Sequence, residues 1–578
     1  MFKGYGNYDK APAIKIVGHK DEVWQGYDAI CSEIENRRQG KESFVVVLDL
    51  YPGVYAEEVL SGLAGLKPSG VYFAEDCMQG QKEYENSIQE NLTDDRVLGV
   101  LTEKLLEDYY IGRKLEAMRK KIHKETGLVL VYGVGASLVT KGDILIYFDL
   151  ARWEIQLRYR NGMGNFHGDN GGDPQLSKYK RGYFVDWRLA DRHKVQIMHS
   201  ADYIADTNIP GFPKMITKEV FFEAVRETAS RPFRLVPYFD PGVWGGQWMK
   251  QVCCLPEGTE NYAWSFDGVP EENSILLDID GTAVELPAMD AVLFCPKELL
   301  GQRVYERFGA EFPIRFDLLD TMQGQNLSLQ VHPLKEYIKE KFNMDYTQDE
   351  SYYMLDCEDD ACVYLGIKTG TDREEMLADL RAAQNEGKGF DAEKYINKIP
   401  VKKHDHVSIP SGTIHCSGKN AMVLEISATP YIFTFKLWDW DRLGLDGLPR
   451  PVHLDHGEKN IQWDRDTKWV QDNLLNQTVK LQSEWGITAE ETGLHPLEFI
   501  KTVRHTFKTP VSHNTQGSVN VLNLVQGKQA EVYSPSGAFK PFTVHYAETF
   551  IIPASVGEYM IKPSGDSGEC MTIKASVK

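Results

Sequence analysis

The segment Leu327-Ser328-Leu329-Gln330-Val331-His332-Pro333 alternates apolar and polar side chains. On a strand, residues two apart project from one face, so Ser328, Gln330 and His332 point one way while Leu327, Leu329 and Val331 pack the other. Glu350 stands at the mouth of a second strand-like run, Ser351 to Leu355. Further on, Ile409-Pro410-Ser411-Gly412-Thr413-Ile414-His415 reads as a turn that delivers another histidine onto a strand. Two imidazoles, a carboxylate and an amide oxygen form a shell for Zn2+ or another divalent ion, one per chain, with room left for water or substrate. The 9 cysteines form no C-x-x-C pair and their number is odd, which reads as reduced, mostly buried thiols. Any metal is therefore held by His, Glu, Asp or Gln.

The elements that must position these groups follow from the texture of the chain. From Arg234 onward short strand-like runs alternate with Gly and Pro: Phe312 to Leu319, Leu327 to His332, Ser351 to Leu355, Val423 to Ile426 and Phe433 to Trp438. A helical pattern at about Asp372 to Asn385 interrupts them. Alternation returns in the last 80 or so residues, and short strands with turn punctuation predict a sandwich or jelly roll. The first 230 or so residues instead mix strand and helix. Phe44 to Leu50, Leu128 to Tyr132 and Ile144 to Phe148 are short continuous apolar runs that suit buried strands, and Lys104 to Lys124 has helical spacing. The expected fold class is multidomain: an α/β domain over residues 1–232, a metal-binding domain with a helical insertion over 233–490, and a β jelly roll over 491–578.

Bulk properties exclude some partners. A formal net charge of −20 over 578 residues repels nucleic-acid backbones and anionic membranes, so neither is expected as a partner. No run approaches the roughly 18 apolar residues of a membrane span, and the N-terminus lacks the apolar stretch of a secretory signal, so the expected localisation is cytoplasmic.

Four motifs in order carry a family resemblance over residues 235–578. Phe312 to Pro333 (FPIRFDLLDTMQGQNLSLQVHP) resembles the stretch of type I mannose-6-phosphate isomerases that ends in Q-V-H-P. Ile409 to Ser427 (IPSGTIHCSGKNAMVLEIS) is similar to that family's turn, metal histidine and following strand. Thr434 to Arg442 (TFKLWDWDR) is similar to its aromatic-Asp-aromatic-Asp-Arg motif, and Pro241 to Gly246 (PGVWGG) resembles its W-G-G opening. The resemblance implies paired cupin-type jelly rolls and metal ligands Gln330, His332, Glu350 and His415. It implies Arg442 as the catalytic arginine and a small-molecule sugar phosphate as the partner. The implied activity is the metal-dependent interconversion of mannose 6-phosphate and fructose 6-phosphate through an enediol(ate). The alternatives are a non-catalytic sugar-binding cupin and an isomerase of a non-phosphorylated sugar.

Moving a proton between C1 and C2 needs a base with a suitable pKa. Glu425, His453 and Asp439 are the candidates, with Glu425 the expected catalytic carboxylate. Ser328, Arg315, Lys436 and His453 are expected at the substrate. The chain departs from the family at two usual lysine positions, which here are Asp317 and Gln348. Arg315, two residues before Asp317 and so on the same strand face, is expected to replace the first missing charge.

The N-terminal third offers a glycine-rich loop, Val131 to Ser137 (VYGVGAS), after an apolar strand. It lacks the G-K-[ST] ending of a P-loop and the third glycine of a dinucleotide fingerprint, so a strand-turn-strand through Thr140 to Asp143 is the simpler expectation. Its amides remain available to an anion, and a degenerate nucleotide-binding or kinase-like module is the functional alternative. Arg152, Arg158, Arg160, Lys178, Lys180, Arg181, Arg188, Arg192, His193 and Lys194, interleaved with aromatics, read either as a salt-bridged surface or as a binding surface for a phosphorylated effector or partner.

Overall fold

The computed structural model describes all residues except 1, 3, 429, 430, 432, 445, 446, 448 and 485. The chain divides into two compact units whose sequences interleave. One comprises Ala13–Glu227 with Ser274–Phe294; the other comprises Met1–Pro12, Thr228–Asn273 and Cys295–Lys578. The boundary drawn from sequence at residue 232 therefore differs from the observed one. Residues 274–294, assigned from sequence to the metal-binding domain, lie in the α/β unit.

The α/β unit is built on a seven-stranded sheet. Its order is Val23–Gln25, Lys214–Thr217, Tyr203–Asp206, Ile144–Asp149, Ser43–Leu50, Gly127–Gly133 and Gly70–Phe73. The last five run parallel, Lys214–Thr217 is antiparallel to both its neighbours, and Val23–Gln25 again points along the five. Parallel strands are linked by crossovers that cover both faces, so their sequences are continuously apolar rather than alternating. Every residue of Ile144–Asp149 is buried for this reason. The expected helix at Lys104 to Lys124 is a short 3-10 turn, Leu106–Tyr109, followed by the helix Gly112–Ile122. The strand-turn-strand expected through Thr140 to Asp143 is not what forms. A helical turn, Ala136–Val139, intervenes, and the flanking strands each pair with Ser43–Leu50 instead of with one another.

The second unit holds two antiparallel sandwiches. In the first, a six-stranded sheet is ordered His406–Ile409, Glu350–Cys357, Ala421–Ser427, Arg315–Asp320, Trp264–Gly268 and Tyr238–Asp240. Its companion is a five-stranded sheet, Ile396–Pro400, Cys362–Ile367, His415–Ser417, Leu329–Val331 and Phe435–Trp438. The expected helical insertion is present as Arg373–Glu386, capped where Asp372 accepts from the Glu375 amide at 2.9 Å. In the second sandwich a six-stranded sheet begins with the hairpin Thr478–Glu484 and Ile487–Thr492. A four-stranded sheet faces it across a core of Leu522, Val532, Phe550, Tyr559 and Ile561. This sandwich thus starts before the expected boundary at residue 491.

Candidate metal centre

Three strands from both sheets of the first sandwich converge on one point. His332 lies just past Leu329–Val331, Glu350 opens Glu350–Cys357, and His415 opens His415–Ser417. Their ligating atoms all lie within 4.8 Å of one another, and each residue is at most 1 % exposed. His332 Nε2 is 3.0 Å from Glu350 Oε2, and His415 Nε2 is 3.0 Å from Glu350 Oε1.

The other nitrogen of each ring decides what these atoms can be. His332 Nδ1 sits 2.9 Å from the Phe433 carbonyl oxygen, and His415 Nδ1 sits 2.9 Å from that of Thr413. A carbonyl only accepts, so each Nδ1 carries the hydrogen, which leaves Nε2 of a neutral ring as a lone pair. At both 3.0 Å contacts an imidazole lone pair then faces a carboxylate oxygen, and the Gln330 and Gln348 amide nitrogens near His415 Nε2 and Glu350 Oε2 bridge neither contact. Only protons or a cation can reconcile that arrangement, and the backbone-anchored imidazole is the usual orientation of a metal-ligating histidine. Burial would raise the Glu350 pKa, but positive charge at this point, whether on the His332 and His415 rings or on a bound cation, outweighs it, and charged rings alone hold the carboxyl well below its usual range. The residues present therefore fit a divalent cation. Gln330 pairs with His415 across the sheet and places its amide nitrogen 3.2 Å from His415 Nε2. Half a turn of the amide would exchange that nitrogen for the oxygen.

Around this trio the sheet register brings together residues far apart in sequence. Asp317 is directly opposite Glu425, and Glu425 is opposite Tyr352 on its other side; Arg315 and Glu350 are both opposite Ser427. Directly opposed residues share a face, as do residues two apart, so Arg315, Asp317, Glu425, Glu350 and Tyr352 line one interior surface. Arg315 Nε is 3.3 Å from Asp317 Oδ1. The guanidinium expected from sequence to face substrate is thus paired with the residue that replaces a lysine. Gln348 donates to Glu350 Oε2 at 2.7 Å and to Glu425 Oε1 at 3.3 Å, so it orients the metal-side carboxylate. Burial, then Asp317 and Glu350, push the Glu425 carboxyl well above its ordinary range.

A second cluster forms at Asp439. Its Oδ1 accepts from Ser328 Oγ at 2.8 Å and from Arg442 Nη2 at 2.5 Å, and its Oδ2 lies 3.0 Å from Arg450 Nε. Asp439 is therefore a bridge between two arginines and is poorly placed to act as the base. Arg442 also donates to the Asn326 carbonyl at 2.7 Å. Lys436 is opposite Gln330, and burial followed by repulsion from Arg450 brings its amine down to about 7. His453 is buried, its amide donating to the Lys436 carbonyl at 2.8 Å.

Sequence reasoning missed Arg465 and Arg450. Arg465 Nη1 donates to the Pro410 and Ser411 carbonyls at 2.8 and 2.6 Å and also reaches Thr413 Oγ1, so it clamps the turn that delivers His415. Nothing local marks Arg465, because its partners lie more than fifty residues away.

In the α/β unit the glycine loop is already occupied. The Gly135 and Ser137 amides donate to Asp49 Oδ1 and Oδ2 at 3.0 and 2.8 Å, so the chain's own carboxylate fills the cradle considered for an external anion. The basic stretch is largely interior rather than a surface. Arg152, Arg158, Lys178, Lys180, Arg181, His193 and Lys194 are all buried. Lys178 donates to the carbonyls of Tyr159, Met163 and Gly171, and Lys194 sits between Asp149 and Asp290. Neither surface reading holds for these residues. Among the described residues no helix is long and apolar enough to cross a membrane.

Comparison with known proteins adds three findings. Residues 26–230 match a family described as a domain of unknown function (DUF8485). The chain is 28% identical over 228 residues to a probable mannose-6-phosphate isomerase, GmuF, of Bacillus subtilis, covering 39% of this chain and 67% of that protein. It is 26% identical over 228 residues to a mannose-6-phosphate isomerase of Streptococcus mutans, covering 39% and 66%. The chain thus spans about two thirds of the length of the curated relatives it matches. Among solved structures, the mannose 6-phosphate isomerase of Bacillus subtilis aligns with a TM-score of 0.48 at 21% identity, covering 60% of this chain and 99% of that one.

Proposed function

We propose that this chain is a metal-dependent aldose–ketose isomerase that interconverts mannose 6-phosphate and fructose 6-phosphate through an enediol(ate). The observation that carries the reading is the buried His332–Glu350–His415 trio, with both Nδ1 atoms anchored to carbonyls and Glu425 on the same interior face as Glu350. The names of the curated relatives support the substrate. His332, Glu350 and His415, with the Gln330 amide turned inward, would hold one Zn2+ or similar ion. When bound, the ion supplies positive charge for the oxygens on which the enediolate charge develops.

The remaining work falls to the chain. Glu425 takes part in the proton transfers, its carboxyl oriented by Gln348. Ser328, Lys436, Arg442 and His453 contribute to the substrate side, with Asp439 fixing the first arginine. The test is an assay with mannose 6-phosphate and with free mannose, following ketose formation before and after chelation and zinc re-addition. Metal-dependent turnover of the phosphorylated sugar, abolished by His332→Ala, is the expected result. Turnover of free mannose alone would retain the isomerase and discard the phosphate. Ligand-induced stabilisation without turnover of either sugar would leave a sugar-binding protein.

A further inference from the structure

We infer that Asp317 and Glu425 form a carboxyl pair that shares the acid–base work of the isomerisation, Asp317 as base and Glu425 as acid. This rests on the isomerase reading above, but Asp317 is assigned by geometry alone.

Asp317 is 1 % and Glu425 is 6 % exposed, and they stand directly opposite each other on adjacent antiparallel strands. Opposed side chains in such a pair have Cβ atoms roughly 4.5–5.5 Å apart, and like charges there repel. Glu350 lies on the same face one strand further on. Glu350 thus meets the His332 and His415 rings and Asp317 meets the Arg315 guanidinium, while Glu425 meets the neutral Gln348 amide. A purely structural ion pair would need only one carboxylate for Arg315. The second, opposed carboxyl adds a repulsion with no structural return unless one of the two carries a proton. Arg315 contacts Asp317, so Asp317 is the ionised member and Glu425 the protonated one. Burial raises both groups, and Arg315 opposes that rise, leaving Asp317 at about 6 and Glu425 well above its ordinary range. Two neighbouring carboxyls with their pKa values pushed apart are the arrangement that divides acid from base.

The proton accounting closes. In the aldose-to-ketose direction the Asp317 carboxylate takes hydrogen from C2 as a proton. The C2–H electron pair becomes the C1–C2 double bond, and the carbonyl π pair moves to O1, which receives the Glu425 proton. Glu425 then takes the O2 proton while Asp317 returns its proton to C1, so both carboxyls end as they began. No external oxidant or reductant takes part.

The experiment uses the full-length, zinc-loaded protein. Asp317→Asn should lower kcat by about 10²- to 10⁴-fold, the range of a lost acid–base group, with bound zinc unchanged and KM within about threefold. Incorporation of solvent deuterium at C1 of the product should fall in parallel. Near-normal kcat in Asp317→Asn would overturn the proposal. Because that variant leaves Arg315 without its partner, infrared spectroscopy of folded protein supplies a second readout. In the parent-minus-Glu425→Gln difference spectrum, where other raised carboxyls such as Asp290 and Glu498 cancel, one carbonyl-stretch band of a buried protonated carboxylic acid should remain as the Glu425 band. It should also vanish in Asp317→Asn, where Arg315 is released to Glu425. A band that persists in Asp317→Asn, or is missing from the parent, overturns the pairing. If the parent turns over no aldose, the isomerase reading fails by itself, and the infrared result still decides whether the two carboxyls share a proton.

Discussion

Lys194→Met tests whether the interior of the α/β unit is held by charge. Lys194 is 1 % exposed and its amine touches Asp149 Oδ2 and Asp290 Oδ1, both residues being fully buried. Methionine preserves the volume and removes the cation, so two carboxyls are left facing each other in the interior. Removing one partner of a buried pair costs about 3–5 kcal/mol. The pH dependence separates this from a packing defect. Burial already raises the Asp290 carboxyl to about 7 against the pull of Lys194, and Asp149 is raised likewise. Without the lysine both rise further. A carboxyl whose folded pKa exceeds its unfolded value loses stability as pH climbs from the unfolded value, about 4, through the folded one, because the folded state then holds more protons. The slope is at most about 1.4 kcal/mol per pH unit for each carboxyl. The variant should therefore be most destabilised at pH 8 and partly recover at pH 5. Two units make a single melting temperature ambiguous, so the assay is hydrogen exchange in the strand Ile144–Asp149, corrected for intrinsic rates. A change under about 1 kcal/mol at pH 8, or no recovery at pH 5, would refute the electrostatic account.

Two further outcomes concern the first sandwich. Arg465→Met should weaken metal binding by about 10- to 100-fold, the usual effect of losing a group that orients a ligand, because the turn bearing His415 loses its clamp. Competition with a chelator measures it, and unchanged affinity would make the arginine merely structural. Gly366→Ala should destabilise by about 1–3 kcal/mol. Gly366 has φ 63°, and an added Cβ would lie 2.4 Å from Val470 Cγ2 and 2.8 Å from the Arg465 carbonyl oxygen. Urea unfolding checks this, and a neutral result would show that the local backbone can move away.

The trio was legible in sequence because strand alternation and a Pro-Gly turn mark the two histidines locally, while the family resemblance joins Glu350 to them as a ligand set. The strands also fell close to their expected places: Phe44 to Leu50 is observed as Ser43–Leu50, and Val423 to Ile426 as Ala421–Ser427. What sequence could not give was register. Asp317 and Glu425 are 108 residues apart in the chain and meet only through the pairing of two strands. Arg315 looked available for substrate because its same-face neighbour two residues on was not weighed as its partner, whereas it contacts Asp317. The basic run from Arg152 to Lys194 misled for a different reason. Charge in sequence suggests exposure, but a cation can be buried when carbonyls or carboxylates surround it, as they do Lys178 and Lys194.

The interleaving of the units bears directly on how the N-terminal third can be studied. A chain cut after residue 232 would lack 274–294, and with it the partner strand Ser274–Ile279 of Ala13–Ile16. It would also lose Asp290 from Lys194, and the Glu285 contacts of Asp206 and Asn208. The missing segment carries Ile275, Leu277, Ile279, Val284, Leu286, Met289 and Val292, all at most 4 % exposed. At about 1.5 kcal/mol or more for each buried aliphatic side chain, the loss is on the order of 10 kcal/mol. That equals the whole stability of a typical domain. The fragment 1–232 should therefore show little cooperative unfolding and weak hydrogen-exchange protection in the strand Ser43–Leu50, and a failure of that fragment to bind a nucleotide would say nothing about the intact unit. Cooperative unfolding of 1–232, with strand protection equal to that in the full chain, would show instead that the 274–294 excursion is an accessory and that the first 232 residues fold on their own.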